Sequence, residues 1–275
     1  MASQSTLRLT KFPMSEMKRD KIILVVGRRG TGKSTLVKDI LFHNRKKLDT
    51  GFMMTPTYDT QEEFRDCFPD SHIYNEYSIE TVKNIIQTAE SLKQQGKERH
   101  LLLVADDCMY EKRIMKSTEM RNIHMNGRHL NVMFVNSVQY LMDIGPDLRG
   151  QIDYVFCLRE ATRSTREKLH KYFFGIFDKF SEFGMVMDRC TNNREALVLD
   201  NTQTTNKIED CVYFYKANPN IGKFRIGRSI YYKLDYLFKK NNTGQNTKNR
   251  TKLPEPIKMK YKIDQVQKED TDDEK

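Results

Sequence analysis

Residues 21–36 read KIILVVGRRGTGKSTL, an apolar run that changes into a glycine-rich turn and then into a helix-forming sequence. The apolar run at residues 22–26 is typical of a strand that is covered on both faces in a parallel sheet. Residues 27–34 fit the pattern G-x-x-x-x-G-K-[ST] of the phosphate-binding P-loop. A chance match is the alternative, but the motif requires a strand before it and a helix after it, and both are predicted here. We therefore expect an α/β fold of the P-loop NTPase class.

Each residue type in this loop has a physical reason to be there. We expect Gly27, Gly30 and Gly32 to adopt positive φ values, which would turn successive backbone N–H groups inward at a helix N-terminus. Lys33 would reach the β- and γ-phosphates, and the Ser34 hydroxyl would complete the coordination of a Mg²⁺ ion. The predicted nucleotide-binding residues are Gly27, Arg28, Arg29, Gly30, Thr31, Gly32, Lys33, Ser34 and Thr35.

A second apolar run ends in two adjacent carboxylates. Residues 100–107 read HLLLVADD, and the end of such a strand is where active sites of open α/β sheets lie. In a P-loop enzyme, Asp106 would hold Mg²⁺ and Asp107 would polarise the water that attacks the γ-phosphate. The alternative interpretation is that both aspartates cap a helix beginning near Cys108.

Strand and helix signals alternate along the chain, which favours a mainly parallel sheet with helices on both faces. Ser78 is a candidate N-cap for a helix over residues 79–94, and Gly96 would end it. The spacing also predicts one long amphipathic helix over residues 162–183. Its phenylalanines, from Phe173 onward, are expected in the core, and its basic first turns could face DNA.

Polar residues and arginines surround the strand predicted at residues 131–135. Gln139 follows that strand and is the candidate sensor of the γ-phosphate or the attacking water, although an ordinary loop amide is the alternative. Arg128 and Arg149 lie in loops that border the strand. Either could act across a subunit boundary, where a planar, permanently charged group can reach a transferring phosphoryl group.

Composition limits the class of protein. The 275 residues include 47 Lys and Arg against 37 Asp and Glu, a net charge of +10 that suggests a polyanionic partner but also suits any soluble surface. The first 20 residues contain no apolar run of signal-peptide length, and no stretch of 18 apolar residues occurs, so we expect neither secretion nor a membrane-spanning segment. The five dispersed cysteines favour reduced thiols.

Three regions are predicted. Residues 1–20 form a lead-in, residues 21–238 form the P-loop domain, and residues 239–275 form a flexible tail that is first basic and then acidic. Within the domain, residues 206–210 read NKIED, which nearly matches the N-K-x-D motif of guanine recognition. The acidic place holds Glu209, so GTP is disfavoured.

Taken together, these motifs resemble the DNA-packaging ATPases of the nucleocytoplasmic large DNA viruses, within the wider group of FtsK- and HerA-like DNA pumps. The resemblance covers about residues 20–218. It rests on GRRGTGKS at 27–34, LLLVADDC at 101–108, GRH at 127–129, the strand that reaches Gln139, YFFGIF at 172–177 and LDN at 199–201.

The resemblance implies a RecA-like, FtsK-like ATPase domain that uses ATP and Mg²⁺, assembles as a homo-oligomeric ring and moves double-stranded DNA into a preformed capsid. By it, Lys33 and Ser34 bind ATP and Mg²⁺, Asp106 is the Walker B ligand, and Asp107 activates water. Gln139 senses the γ-phosphate and Arg128 is the preferred finger acting in trans. One departure is Asp107, which stands where related pumps often have glutamate.

The same resemblance implies capsid or portal-like viral components as partners. The implied location is the host cytoplasm at the site of virus assembly, with association with the virion as a further expectation. Two other functions are compatible with the motifs. A small-molecule or nucleotide kinase also needs a P-loop and Mg²⁺, and a DNA-associated scaffold could bind nucleotide without turnover.

Overall fold

In the computed structural model, which describes residues 7–108, 114, 116–140 and 144–243, the described strands form one nine-stranded sheet. The strand order is β1-β9-β8-β7-β2-β6-β5-β3-β4. The strands are β1 Thr10–Lys11, β2 Ile22–Val26, β3 Thr50–Met54, β4 Ile73–Tyr74, β5 Leu101–Asp106, β6 Val132–Val138, β7 Tyr154–Cys157, β8 Glu195–Asp200 and β9 Val212–Lys216.

The sheet is mainly parallel, which confirms the predicted fold class. Only β8 runs against its neighbours β7 and β9 among the described strands. Every residue of β2, β5 and β6 is buried, as the continuous apolar runs predict for strands covered on both faces. Strand β6 lies between β2 and β5, so the P-loop strand and the strand of the paired aspartates are separated by one strand.

Helices pack on both faces of this sheet, and two hydrophobic clusters lie on either side of it. Helix α3 occupies the predicted residues: the Ser78 hydroxyl accepts a hydrogen bond from the Thr81 N–H at 3.1 Å, and Gly96 follows the helix with a φ of 67°. The described helices are α1 Lys33–Asn44, α2 Tyr58–Phe64, α3 Ile79–Gln94, α4 Thr118–Asn126, α5 Pro146–Arg149, α6 Arg163–Tyr172, α7 Phe180–Cys190, α8 Ile208–Cys211 and α9 Ser229–Thr243.

The single long helix predicted over residues 162–183 is wrong. Two helices, α6 and α7, replace it, and the chain turns between them at residues 173–179. The turn lets Phe174 and Phe177 enter the core beside Phe183, with ring centroids 5.1 and 6.1 Å from that of Phe183. Phe173, Phe174, Phe177 and Phe183 are buried as predicted, and Phe180 is partly buried against the same cluster. Burial of these rings outweighs the helical spacing.

The described part of the N-terminal lead-in contributes to the core, because Phe12, Met14 and Met17 are all buried. The five cysteines are free thiols, and four of them are buried. The structure contains, in its described part, no helix with both the length and the apolar character to span a bilayer. Residues to Tyr236 form one compact unit and a second begins at Leu237, while most of the predicted tail lies outside the described residues.

Candidate nucleotide-binding site

Parallel strands end together at one edge of the sheet, and a cleft of about 490 Å³ opens there. It is formed by the P-loop between β2 and α1, the start of α2, the ends of β5 and β6, and the loop before β8. Most of the residues predicted from the sequence meet in it. Those that line the cleft are Arg28, Arg29, Gly30, Gly32, Lys33, Ser34, Thr35, Asp106, Asp107 and Gln139.

Two of the three loop glycines have the predicted conformation. Gly30 and Gly32 have φ values of 80° and 102°, where side chains are disfavoured. The expectation of a positive φ at Gly27 is wrong. Glycine is required at this position because a side chain would not fit. A Cβ there would lie 2.7 Å from the Thr31 Oγ1 atom and 2.9 Å from the Leu158 Cβ atom.

Gly27 and Thr31 belong to the same loop but do not line the cleft. The Thr31 hydroxyl donates a 2.7 Å hydrogen bond to the carbonyl of Arg28, and the Gly27 N–H donates to the carbonyl of Val138. The first bond closes the loop on itself, and the second ties it to the end of β6. Both residues therefore shape the loop.

A hydrogen-bonded cluster joins three of the predicted catalytic residues. The Lys33 ammonium lies 2.9 Å from Oδ1 and 3.2 Å from Oδ2 of Asp107. The Gln139 amide donates to Oδ2 of the same carboxylate at 2.6 Å. Charge-assisted bonds of this kind are stronger than neutral ones, so the cluster fixes the orientation of Asp107.

The backbone at Asp107 is unusual. Its φ is 51°, in the left-handed region that non-glycine residues rarely adopt, while its N–H still donates to the Ser137 carbonyl at 2.9 Å. This conformation turns the Asp107 side chain away from the strand direction and toward Lys33. Strained backbone at a cleft is a recurrent property of functional sites.

Asp106 lies deeper than Asp107. Its side chain is buried, its Oδ1 accepts no hydrogen bond, and burial raises the pKa of its carboxyl group. Next to it on β6, Asn136 and Ser137 are also buried, and the Asn136 Oδ1 accepts no hydrogen bond within the described part of the chain, whereas the Ser137 hydroxyl favours the charged form of Asp106. The sequence placed these two polar residues after the strand, but they belong to β6 and face the interior.

These unsatisfied oxygens fit a hard cation. Mg²⁺ prefers oxygen ligands, and a carboxylate with a free oxygen on the wall that also carries the Ser34 hydroxyl supplies them. Asp106 and Ser34 are thus the residues that would hold Mg²⁺ together with nucleotide phosphates. Within the described ranges, no group of three or more His, Cys, Asp or Glu side chains is arranged to hold a metal ion alone.

The two candidate arginines for action in trans lie away from the cleft. Arg128 precedes β6 at the opposite edge of the sheet, where its Nε lies 3.7 Å from Asp153 and its Nη2 donates to Gln151 at 3.3 Å. The Arg149 guanidinium stacks 3.9 Å from the ring centroid of Tyr172. A role for Arg128 at a neighbouring subunit stays a prediction.

The NKIED segment also lies at that opposite edge. It follows β8, whose last residue Asp200 pairs with Tyr154 at the start of β7. Its Glu209 is exposed there, on the far side of the sheet from the P-loop. This placement keeps the NKIED segment out of the cleft, and the expectation that GTP is disfavoured stays a prediction.

Sequence reasoning missed a group of cleft residues. Four come from α2 and the residue before it, which follow the end of β3 at the same edge of the sheet, so the strand-end rule applied to β3 would have found them. The fifth precedes an antiparallel strand, and no local pattern marks it. These residues are Thr57, Asp59, Thr60, Glu63 and Arg194.

Comparison with solved structures agrees with this architecture. The genome packaging NTPase B204 from Sulfolobus turreted icosahedral virus 2, in complex with AMPPCP, aligns with a TM-score of 0.54 at 16% identity, covering 72% of this chain and 98% of B204. The pCW3 conjugation coupling protein TcpA with ATPγS aligns with a TM-score of 0.51 at 10% identity, covering 82% and 65%. These likenesses show the fold.

Sequence relatives are found in large DNA viruses. The chain is 32% identical over 229 residues to uncharacterized protein L437 of Acanthamoeba polyphaga mimivirus, and the match covers 80% of each chain. It is 30% identical over 208 residues to uncharacterized protein 088R of Invertebrate iridescent virus 3, covering 74% of this chain and 80% of the relative. The model of the family described as poxvirus A32 protein matches residues 10–223.

Proposed function

The chain belongs to the poxvirus A32 protein family, and from this premise we propose that it is a Mg²⁺-dependent ATPase that translocates viral double-stranded DNA into the capsid during virion assembly. The observation that carries the proposal is the Lys33–Asp107–Gln139 cluster beside a buried Asp106 at the mouth of a P-loop. The similar fold of B204, a genome packaging NTPase, supports the same function.

Each site residue has a role in this proposal. The inward N–H groups of the loop and the Lys33 ammonium bind the phosphates of ATP, while Asp106 and Ser34 hold Mg²⁺. When present, the ion neutralises charge that develops on the phosphates. Lys33 then leaves Asp107, which is freed to accept a proton from the attacking water while Gln139 keeps its carboxylate oriented.

The proposed site of action is the host cytoplasm at the place of virus assembly, in a homo-oligomeric ring on the capsid or a portal-like component. The net charge of +10 suits a surface that follows the DNA phosphates without reading bases. In such a ring, Arg128 is the residue that we expect to reach the nucleotide of the neighbouring subunit.

Release of inorganic phosphate from ATP, with and without duplex DNA, tests this function. We expect Mg²⁺-dependent hydrolysis that duplex DNA stimulates, with a stimulation that falls steeply as salt increases, because phosphate contacts release counterions. Transfer of the γ-phosphate to a small-molecule acceptor in place of water would instead identify a kinase. Absence of DNA stimulation in every oligomeric state would contradict translocation.

The role of Asp107 is tested by Asp107→Asn. We expect ATP binding to persist while hydrolysis falls about 10²–10⁴-fold, the usual contribution of a positioned general base. Asp107→Glu tests whether a longer carboxylate side chain, as in related pumps, can also act as the general base. Asp178→Asn is the matched control, since Asp178 is exposed and does not line the cleft. Unchanged turnover in Asp107→Asn would assign the base elsewhere, for which Asp59 and Glu63 are further cleft carboxylates to test.

A further inference from the structure

Arg194 crosses the start of helix α1. A methyl group added to Gly32 would lie 3.7, 3.9 and 4.0 Å from the Cβ, Cδ and Cγ atoms of Arg194. The side-chain stem therefore runs along the residue that immediately precedes Lys33. Arg194 is also one of the residues that line the cleft.

The antiparallel strand β8 brings Arg194 to this place. Cys157 at the end of β7 pairs both with Val26, the last residue of β2, and with Leu197 near the start of β8. Because β8 runs against β7, the loop that enters it lies at the same edge of the sheet as the P-loop that leaves β2. About 160 residues of sequence separate two segments that the sheet places side by side.

The backbone of this loop is held in a disfavoured conformation. Asn193 and Arg194 are consecutive residues with φ values of 53° and 62°, although neither is glycine. The loop is fixed at both ends. Buried Thr191 donates its hydroxyl to the Met187 carbonyl at 2.7 Å, and Glu195 enters the sheet opposite Lys216. Strain that the surroundings enforce at a cleft points to function.

No described residue neutralises the charge of Arg194. Its guanidinium makes no hydrogen bond or ion pair in the part of the chain that the structure describes, whereas Arg166 pairs with Asp188. A guanidinium is permanently charged, and its planar set of donors matches the oxygens of phosphate. In the cleft it lies beside the helix N-terminus, where anions bind.

We propose that Arg194 binds the nucleotide phosphates of its own chain, as a second cation opposite Lys33. This proposal rests on the proposed nucleotide-binding function of the cleft. It assigns the interaction in cis, which distinguishes Arg194 from Arg128, whose predicted action is in trans. Binding of phosphate by Arg194 would also connect the loop before β8, and hence the antiparallel strands, to the presence of nucleotide.

Binding of a fluorescent ATP analogue with Mg²⁺, measured at a protein concentration where the chain is monomeric, tests the proposal. We expect Arg194→Ala to weaken binding about 10–100-fold, the range for loss of a charge-assisted contact. Arg194→Lys keeps the charge but lacks the planar group, so its affinity should lie between those of Arg194→Ala and the unchanged chain. Arg189→Ala, which removes the same charge from an exposed position at the end of α7, should bind like the unchanged chain.

Arg194→Gly separates binding from folding. Glycine accepts the left-handed conformation, so the melting temperature of this variant without nucleotide should equal or exceed that of the unchanged chain, while ATP binding is still weakened. Equal affinity of Arg194→Ala and the unchanged chain would overturn the assignment of Arg194 alone. Loss of affinity only in assembled rings would overturn the assignment in cis, and failure of the unchanged chain to bind ATP would overturn the proposed function itself.

Discussion

Asp106 is a carboxyl group that the fold buries at a cost in free energy. Burial raises the pKa of its carboxyl group above the ordinary value, which means that the folded state disfavours the charged form. For a carboxyl group whose folded pKa is raised, the destabilisation begins as pH rises above the pKa of the unfolded chain and is complete above the folded pKa. The burial of Asp106 therefore destabilises the protein increasingly as pH rises above the ordinary pKa of an aspartate.

We predict that Asp106→Asn raises the melting temperature of the nucleotide-free protein at pH 7. The expected shift is about 2–4 °C, which corresponds to about 1 kcal/mol in a domain of this size. The same variant should gain no further stability from ATP with Mg²⁺, because the ion loses its carboxylate ligand. Differential scanning calorimetry measures both effects. Asp178→Asn is the control, and a lower melting temperature for Asp106→Asn would contradict the argument.

The site could be predicted from the sequence wherever one segment supplies both the residue and its position. The P-loop and the paired aspartates do so, since each follows an apolar run that ends at the functional edge of the sheet. Arg194 could not be found in this way, because only the antiparallel pairing of β8 with β7 brings it to the P-loop. The break between α6 and α7 was missed for a similar reason, since burial of Phe174 depends on distant residues.

Helix α1, which carries the P-loop residues, is bonded to the antiparallel end of the sheet through a buried carboxylate. Asp39 on α1 accepts hydrogen bonds from the Tyr215 hydroxyl at 2.7 Å and the Asn218 N–H at 3.0 Å. Burial and the neighbouring Asp39 raise the pKa of Tyr215, so its hydroxyl stays protonated as the donor. The Tyr215–Asp39 hydrogen bond joins two elements that are distant in sequence. It fixes the position of α1 relative to β9.

We predict that Tyr215→Phe lowers the free energy of unfolding by about 1–3 kcal/mol, because it leaves a buried carboxylate short of a donor. Tyr213→Phe is a matched control on the same strand, since the Tyr213 hydroxyl donates to the Asp210 carbonyl at an exposed site. Its expected cost is below about 0.5 kcal/mol. Guanidinium unfolding of both variants measures the difference, and equal losses would show that the Asp39 contact adds no stability.

Helix α4 is attached to β6 by a buried histidine. The Nδ1 of His124 donates to the Met120 carbonyl at 2.8 Å, and its ring meets that of Phe134 edge-on at 5.4 Å. Burial lowers the pKa of His124, with opposing but smaller effects from that carbonyl and from Asp147. The folded state therefore favours the neutral ring.

Stability should consequently fall as pH falls below about 6.5, where the histidine of the unfolded chain takes up a proton that the folded chain resists. The expected slope reaches about 1.4 kcal/mol per pH unit for this group. Urea unfolding between pH 5 and 7.5 should give a flatter profile for His124→Leu than for the unchanged chain. His72, whose pKa burial also lowers, leaves a residual slope. If exposed His129→Leu flattened the profile equally, the assignment to His124 would fail.

At the scale of the whole molecule, the sheet consists of a parallel part that builds the cleft and an antiparallel addition that carries Arg194. The N-terminal segment joins these parts. Strand β1 pairs with β9, and the ring of Phe12 lies 5.6 Å from that of Tyr154 on β7, 5.5 Å from that of Phe156 on β7 and 5.5 Å from that of Tyr213 on β9. A segment that the sequence placed ahead of the domain thus helps to hold the two parts of the sheet together.

Phe12→Ala should therefore destabilise the protein by about 3–5 kcal/mol, the usual cost of removing a buried phenyl ring and leaving a cavity. Phe12→Leu keeps most of the side-chain volume and should cost less, about 1–2 kcal/mol. The ratio of the two losses in free energy of unfolding therefore reports how the ring packs across the strands. Met185→Ala removes an apolar side chain that is 66% exposed and should change the free energy of unfolding by less than about 0.5 kcal/mol. Chemical unfolding of the three variants measures these changes in the free energy of unfolding. If Phe12→Ala were as stable as Met185→Ala, the Phe12 ring would contribute nothing to holding β7 and β9 together.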